Sequence, residues 1–196
     1  VKYMVENSLG KFWLEKHPNQ QLKSKWKYYI GESEQNLDVV NQFNETFQNN
    51  SLVNPIDIKV LDPCMGSGHI LVYVFEVLVD IYESVGYSKK DATLNILKYN
   101  LHGLDIDKRA YQFAYFIIMM KARFYNNQIF NEQINLNLSD INETNTMSKD
   151  FIDFISFNNL KLKNDLNYLT NVFYDAKEYG DVITVEGIDY SNIINH

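Results

Sequence analysis

The chain has 196 residues, a net charge of −7, 45% apolar content and a single cysteine. That is enough apolar material for one compact domain; no run of about eighteen apolar residues offers a membrane span, and Val1-Lys2-Tyr3-Met4 lacks the apolar core of a signal peptide. One cysteine excludes an intramolecular disulfide and fits a reducing cytoplasm, and the acidic balance argues against a self-sufficient DNA-gripping domain, which needs Lys and Arg to neutralise phosphate.

Val1, Met4, Val5, Leu9, Phe12 and Trp13 recur at helical spacing, so the chain opens inside a helix. No capping residue precedes it, which predicts a piece of something longer. His17-Pro18-Asn19 breaks that helix, and Leu22 to Ile30 predicts a second one with Trp26, Tyr29 and Ile30 inward. Val39, Val40, Phe43 and Phe47 predict a further helix in an otherwise polar stretch that ends at Asn54-Pro55. We therefore divide the chain into a helical segment 1–54, a core 55–145 and a mainly helical extension 146–196.

The core begins with Ile58 to Leu61, a short apolar run suited to a buried parallel strand. Asp62-Pro63 stops it, since proline cannot donate to a ladder. Gly66 and Gly68 allow a tight turn and close backbone approach. A helix follows from Gly68 to about Gly86, with Ile70, Leu71, Val74, Val77, Leu78 and Ile81 on one face. Strand, glycine turn and helix N-terminus together make an anion and nucleotide site. Ser88 caps a second helix, with Asp91 in the reciprocal position of a capping box.

Leu101 to Asp105 predicts a second strand ending in acid, a placement that can hold both ribose hydroxyls. The helix behind it runs to about Tyr125 and carries Ala110, Phe113, Ala114, Ile117 and Ile118; its many aromatics, at helical spacing, read as a core face in preference to a base-stacking surface. Ile134, Leu136 and Leu138 alternate with polar residues, as in a third strand, before a loop from Ser139 to Ser148. Phe151, Phe154 and Ile155 predict a short helix. Leu162, Leu166, Leu169 and Phe173 mark a longer one stopped by Gly180, and Val182, Ile183 and Val185 suit a strand or an extended clamp.

Two motifs carry a resemblance. Asp62-Pro63-Cys64-Met65-Gly66-Ser67-Gly68 resembles the D-P-x-x-G-S-G signature of amino-group DNA methyltransferases, and Gly103-Leu104-Asp105-Ile106-Asp107 resembles their following G-x-[ED]-I-D motif. Tyr3 to Gly10, Lys25 to Tyr29, Met119 to Arg123 and Asp175 to Gly180 are similar to the large adenine-specific methylases of BREX phage-defence systems, the PglX type. The resemblance implies a Rossmann-like α/β methyltransferase core, partial, with parallel strands and extra helices at both ends. It implies S-adenosylmethionine as cofactor. Backbone at Cys64, Met65, Gly66, Ser67 and Gly68, after Asp62-Pro63, would lie against the methionine moiety, and Asp62 would attract its amino group. Asp105 would accept from the ribose hydroxyls and Ile106 would lie against adenine. An acid near the third strand, Asp140 or Glu143, would contact the adenine amine; a solvated loop acid is the plainer reading of each.

Other cofactors fit less well. A P-loop closes with Gly-Lys-Ser/Thr, where this chain has His69-Ile70. The NAD fingerprint needs a third glycine and an acid about 20 residues on, whereas Asp105 lies much farther away, past an extra helix. Pro63-Cys64 mimics the nucleophile of cytosine-5 methylases but sits inside the cofactor loop, so Cys64 reads as a small loop residue. His69, in a first helical turn where the dipole disfavours its charged form, reads as a packing or backbone-contact residue in preference to a catalytic base. The histidines show no metal spacing, and no metal is assigned.

Adenine methylases hold the flipped base with [ND]-P-P-[YF]. The chain's one Asn-Pro, Asn54-Pro55, continues as Ile56-Asp57 and precedes the first strand. The sequence therefore reads as the cofactor-binding half of an adenine-N6 DNA methyltransferase, inactive alone, reaching DNA and defence-system subunits through other parts of its parent. A truncated sheet would leave an edge open to self-association. Two alternatives stay open: a methyltransferase for RNA, protein or a small molecule, and a non-catalytic assembly subunit.

Overall fold

A computed structural model describes residues 1–31, 53–157, 159–179, 183–188, 190 and 193. They fall into two compact units, Val1–Asp140 and Ile141–His196. The helix expected around Val39 to Phe47, the stop at Gly180 and Val182 lie outside the described residues.

The first unit opens with helix α1 (Lys2–Val5), a π-helical turn (Glu6–Gly10) and α2 (Lys11–Lys16). A π turn inserts an extra residue and rotates the helical face. Val5, Leu9, Trp13 and Leu14 are consequently buried, while Met4 and Phe12, expected to share that face, are exposed. Asn19 caps α3 (Gln20–Lys25) by accepting the N–H groups of Gln21 and Leu22. The helix expected to reach Ile30 ends at Lys25 because tertiary bonds capture the next backbone. The Trp26 indole donates to Asp80 at 3.1 Å, and the Tyr28 and Ile30 N–H groups donate to Glu6 and Asn7. Trp26 is buried as expected, its ring lying over Gly10, whereas Ile30 is exposed.

The sheet follows: β1 (Val60–Asp62), β2 (Leu101–Asp105) and β3 (Asn137–Asp140), all parallel, in the order β1-β2-β3. The register pairs Asp62 with Gly103 and Asp105 with Asp140, which puts the three acids at the carboxyl end of the strands. Between β1 and β2 run α4 (His69–Ser84), α5 (Lys89–Asn95) and a π turn (Ile96–Asn100). The predicted stripe of α4 is buried from Leu71 to Ile81, together with Phe75, Val79 and Tyr82, so the helix is apolar over most of its circumference and forms the centre of the core. Each such aliphatic side chain contributes about 1.5–3 kcal/mol by leaving water. The Ser88 hydroxyl accepts the Asp91 N–H and donates to the Asp91 carboxylate, a local variant of the expected box.

Between β2 and β3 runs α6 (Lys108–Tyr125). Ala114, Ile118 and Ala122 form its buried seam, but Phe113, Phe116 and Phe124 face solvent, so the aromatic stretch is only partly a core face. Ala114 lets α6 come close to the glycine turn, and the bulky rings point away. No helix of the described residues is long and apolar enough to cross a membrane. The architecture is a partial Rossmann-like α/β core with helices on either side of it in sequence.

The second unit holds α7 (Lys149–Ile155), α8 (Leu160–Val172) and α9 (Ala176–Tyr179). Ser148 and Asn159 cap α7 and α8 by accepting the N–H groups of Phe151 and Leu162. Ile152 is buried, whereas Phe151, Phe154 and Ile155, which suggested the helix, are exposed. Asn145 and Asp175 bond to each other twice, and this holds Asp175 in its left-handed conformation (φ 52°). Residues 183–188 form no strand.

Candidate functional site

The candidate site is the loop Pro63–Gly68 and its supports at the carboxyl end of the sheet. Two backbone N–H groups fasten the loop to β2: Met65 donates to the Leu104 carbonyl at 3.0 Å and Gly66 to the Asp105 carboxylate at 2.7 Å. Gly66 and Gly68 both take positive φ, 52° and 78°, as the tight turn demands. Gly68 is also the residue before α4, and its carbonyl accepts the Val72 N–H at 2.9 Å. A Cβ at Gly68 would lie 3.0 Å from the Ala114 Cβ, so the turn rests directly on α6.

Gly103 has a different reason to be glycine. A Cβ there would come within 2.5 Å of the Met65 sulfur, 2.8 Å of Leu138 and 2.9 Å of Leu71. The central strand thus yields its side-chain volume to neighbours on the helix side. Met65 is itself buried, so only its backbone is left for a ligand, while Pro63 and Cys64 are exposed and Ser67 is half-exposed. Ser67 Oγ and His69 Nδ1 share a hydrogen bond of 2.6 Å, which gives His69 a loop-stabilising role.

The two acids differ in their surroundings. Asp62 is buried, at 8% exposure; its Oδ1 accepts the Cys64 N–H at 3.2 Å, and its buried Oδ2 has no hydrogen-bond partner among the described residues. A buried, unpaired carboxylate oxygen is costly and calls for a cationic or donor group. Asp105 is half-buried, with Oδ2 on the Gly66 N–H and Oδ1 on the Asp107 N–H at 2.8 Å. A carboxylate has about four acceptor sites, so each oxygen retains one for a hydroxyl. Beside it, Ile106 is 55% exposed, a large aliphatic surface next to an acid that can hold a ribose. Asp107 caps α6 through the Arg109 N–H. The loop therefore joins an orphaned buried acid, a hydroxyl acceptor, an apolar platform and glycines permitting close approach, a fit for a ligand with an ammonium end, a ribose and a flat base.

Of the expected site residues, the structure gathers Asp62 to Gly68 with Asp105 and Ile106. Asp140 lies beside Asp105 in register. Glu143 is half-buried in the second unit, in the segment between β3 and Ser148. Among the described residues no His, Cys, Asp or Glu cluster is arranged for a metal ion.

Sequence reasoning missed the support behind α4. Glu6, in the π turn and 1% exposed, accepts the Tyr28 N–H at 2.6 Å and the Tyr73 hydroxyl. Asn7 donates to the Tyr28 carbonyl at 2.7 Å and accepts the Ile30 N–H at 2.8 Å. Burial, reinforced by the Glu6 bond, pushes the Tyr73 phenol above its ordinary range. The only sequence signal was a polar pair interrupting an apolar helical stripe.

No family model matches the chain. It is 37% identical over 195 residues to "Adenine-specific methyltransferase PglX" of Lacticaseibacillus casei (strain Zhang), covering 95% of the chain and 16% of that relative. It is 41% identical over 144 residues to "Adenine-specific methyltransferase BrxX" of Escherichia coli O9:H4 (strain HS), covering 74% of the chain and 12% of that relative. The chain thus spans less than a fifth of the length of the curated relatives it matches.

Proposed function

The chain belongs to the adenine-specific methyltransferases of the PglX and BrxX kind, and on that premise we propose that it forms their S-adenosylmethionine-binding part. The single observation that carries the reading is Asp62 Oδ2, buried and unpartnered at the end of β1 beside a glycine turn. An ammonium group placed there gains a charge-assisted bond and relieves the desolvated carboxylate. Backbone from Cys64 to Gly68 cradles the methionine moiety, the free acceptor sites of Asp105 take the ribose hydroxyls, and Ile106 lies against adenine. Asp140, at the end of β3 and in register beside Asp105, is the acid for the adenine amine.

The parent enzyme, in this reading, transfers a methyl group from S-adenosylmethionine to the adenine amino group in DNA within a BREX-type phage-defence or restriction–modification system. The core 55–145 supplies the cofactor site, flanked by helical segments 1–54 and 146–196. The residues that flip and hold the base belong to other parts of the parent, so this chain alone methylates nothing. It works in the cytoplasm, where the cofactor and the DNA are. Titration calorimetry of the chain with S-adenosylmethionine tests the assignment: saturable binding that Asp62→Asn and Asp105→Ala each weaken supports it, and absence of binding by the folded wild type overturns it.

A further inference from the structure

Ser67 Oγ and His69 Nδ1 lie 2.6 Å apart, so one of them donates a hydrogen to the other. Two arrangements satisfy that contact. A neutral imidazole carries one hydrogen, on Nδ1 or on Nε2, and a hydroxyl has one to give. If Nε2 holds the ring hydrogen, Ser67 donates to Nδ1 and offers a ligand only an acceptor. If Nδ1 holds it, the imidazole donates to Ser67, and the hydroxyl hydrogen is left for a ligand. The tautomer of His69 therefore decides what Ser67 can recognise.

The surroundings of the imidazole favour the second arrangement. His69 is the first residue of the 16-residue α4, where the helix dipole disfavours a second proton on it. It borders a groove of about 440 Å³ lined also by Val72, Ile117, Met120, Lys121 and Phe124. Among these described residues no side chain offers an oxygen to a hydrogen on Nε2, and an ammonium in the same groove favours a bare ring nitrogen. The loop in turn needs a donor. S-adenosylmethionine ends in an ammonium and a carboxylate, and Asp62 suits only the first. The carboxylate has to be held in a loop bordered by two acids, Asp62 and Asp105, which repel it. From Asp62 to Gly68 there is no Lys or Arg, and Ser67 carries the one hydroxyl.

We propose that His69 is a positioning residue: its Nδ1–H is fixed on Ser67 Oγ, so that the Ser67 hydroxyl donates to the carboxylate at the methionine end of the cofactor. The inference rests on the cofactor reading above and divides recognition of that end between two residues. Asp62 selects the cation, and Ser67, set by His69, selects the anion. A ligand without an amino-acid end is indifferent to both.

The test is calorimetry of the chain with two ligands, S-adenosylmethionine and 5′-methylthioadenosine, which keeps the adenine and ribose and lacks the amino-acid end. Ser67→Ala is expected to weaken S-adenosylmethionine by about tenfold or more, as for a lost hydrogen bond to a charged group, and methylthioadenosine by less than about twofold. His69→Leu should show the same selective loss, and should add nothing on top of Ser67→Ala. His69→Asn, whose amide N–H can stand in for Nδ1–H, should recover most of the affinity. Equal weakening of both ligands overturns the proposal, since the pair would then only brace the loop. So does unchanged affinity in Ser67→Ala, or a loss there that His69→Leu does not share. In each of these cases a wild type that binds methylthioadenosine leaves the cofactor reading standing, whereas a folded wild type that binds neither ligand overturns both.

Discussion

The Asp105 carboxylate at the end of β2 accepts the Gly66 N–H of the turn after β1, at 2.7 Å. The residue assigned to the ribose is thus also the clamp that shapes the loop for the methionine moiety. Asp105→Ala removes both, and we expect cofactor affinity to fall by more than tenfold together with a loss of about 1–3 kcal/mol of stability from the orphaned N–H groups. Asp105→Asn keeps the acceptor oxygen on one side only. Calorimetry and thermal unfolding of both variants should rank them wild type, Asn, Ala.

Asp62 offers the opposite combination. Its buried Oδ2 has no partner among the described residues, so Asp62→Asn removes an uncompensated charge while an amide oxygen still takes the Cys64 N–H. The expected outcome is a Tm equal to or above that of the wild type, with S-adenosylmethionine binding weakened by about tenfold or more. A variant that loses stability and keeps its affinity would assign Asp62 to the fold and not to the ligand.

Gly103→Ala adds a methyl where Met65, Leu71 and Leu138 already meet. Overpacking of this kind costs about 1–3 kcal/mol. Because Met65 anchors the loop to β2, weakened cofactor binding should accompany the loss. Denaturant unfolding of the variant measures the first and calorimetry the second.

Alkaline pH should destabilise the protein through one buried and two half-buried tyrosines. Burial raises the phenols of Tyr73, Tyr82 and Tyr125, and Glu6 raises Tyr73 further. Below about pH 10 the phenols are protonated whether the chain is folded or unfolded, and their contribution to stability is fully present. Above that pH the unfolded chain releases protons that the folded chain keeps, so stability falls as pH rises, by about 1.4 kcal/mol per pH unit for the fully buried Tyr82. Denaturant midpoints measured from pH 8 to 11 should be flat at first and then decline. Tyr82→Phe should soften that decline, although its hydroxyl bond to Asn100 at 3.0 Å is lost.

Glu6 is expected to matter for stability more than any surface carboxylate. Glu6→Ala leaves the part-buried Tyr28 N–H and Tyr73 hydroxyl without a partner, a cost of about 1–3 kcal/mol. Glu6→Gln, which retains an acceptor, should recover most of it in thermal unfolding.

The sequence by itself determined the order of elements around the site. The apolar run before Asp62, the glycine turn, the helix behind it and the second strand ending at Asp105 are written in local preferences of φ, of hydrophobic period and of capping, and Ser88 acts where the sequence placed it. Tertiary structure decided the rest. Whether Asp62 keeps an unsatisfied oxygen, whether Asp105 holds Gly66, and why Gly103 is glycine depend on atoms 30 or more residues away, which no local pattern encodes. The same holds for the helix that ends at Lys25, where Glu6, Asn7 and Asp80 outbid the helical bonds, and for Phe113, Phe116 and Phe124. Their spacing specified a helix; only packing settled that Ala114, Ile118 and Ala122 would be the side turned inward, because Ala114 lets α6 approach the turn at Gly68 and a bulky ring there would hold it away.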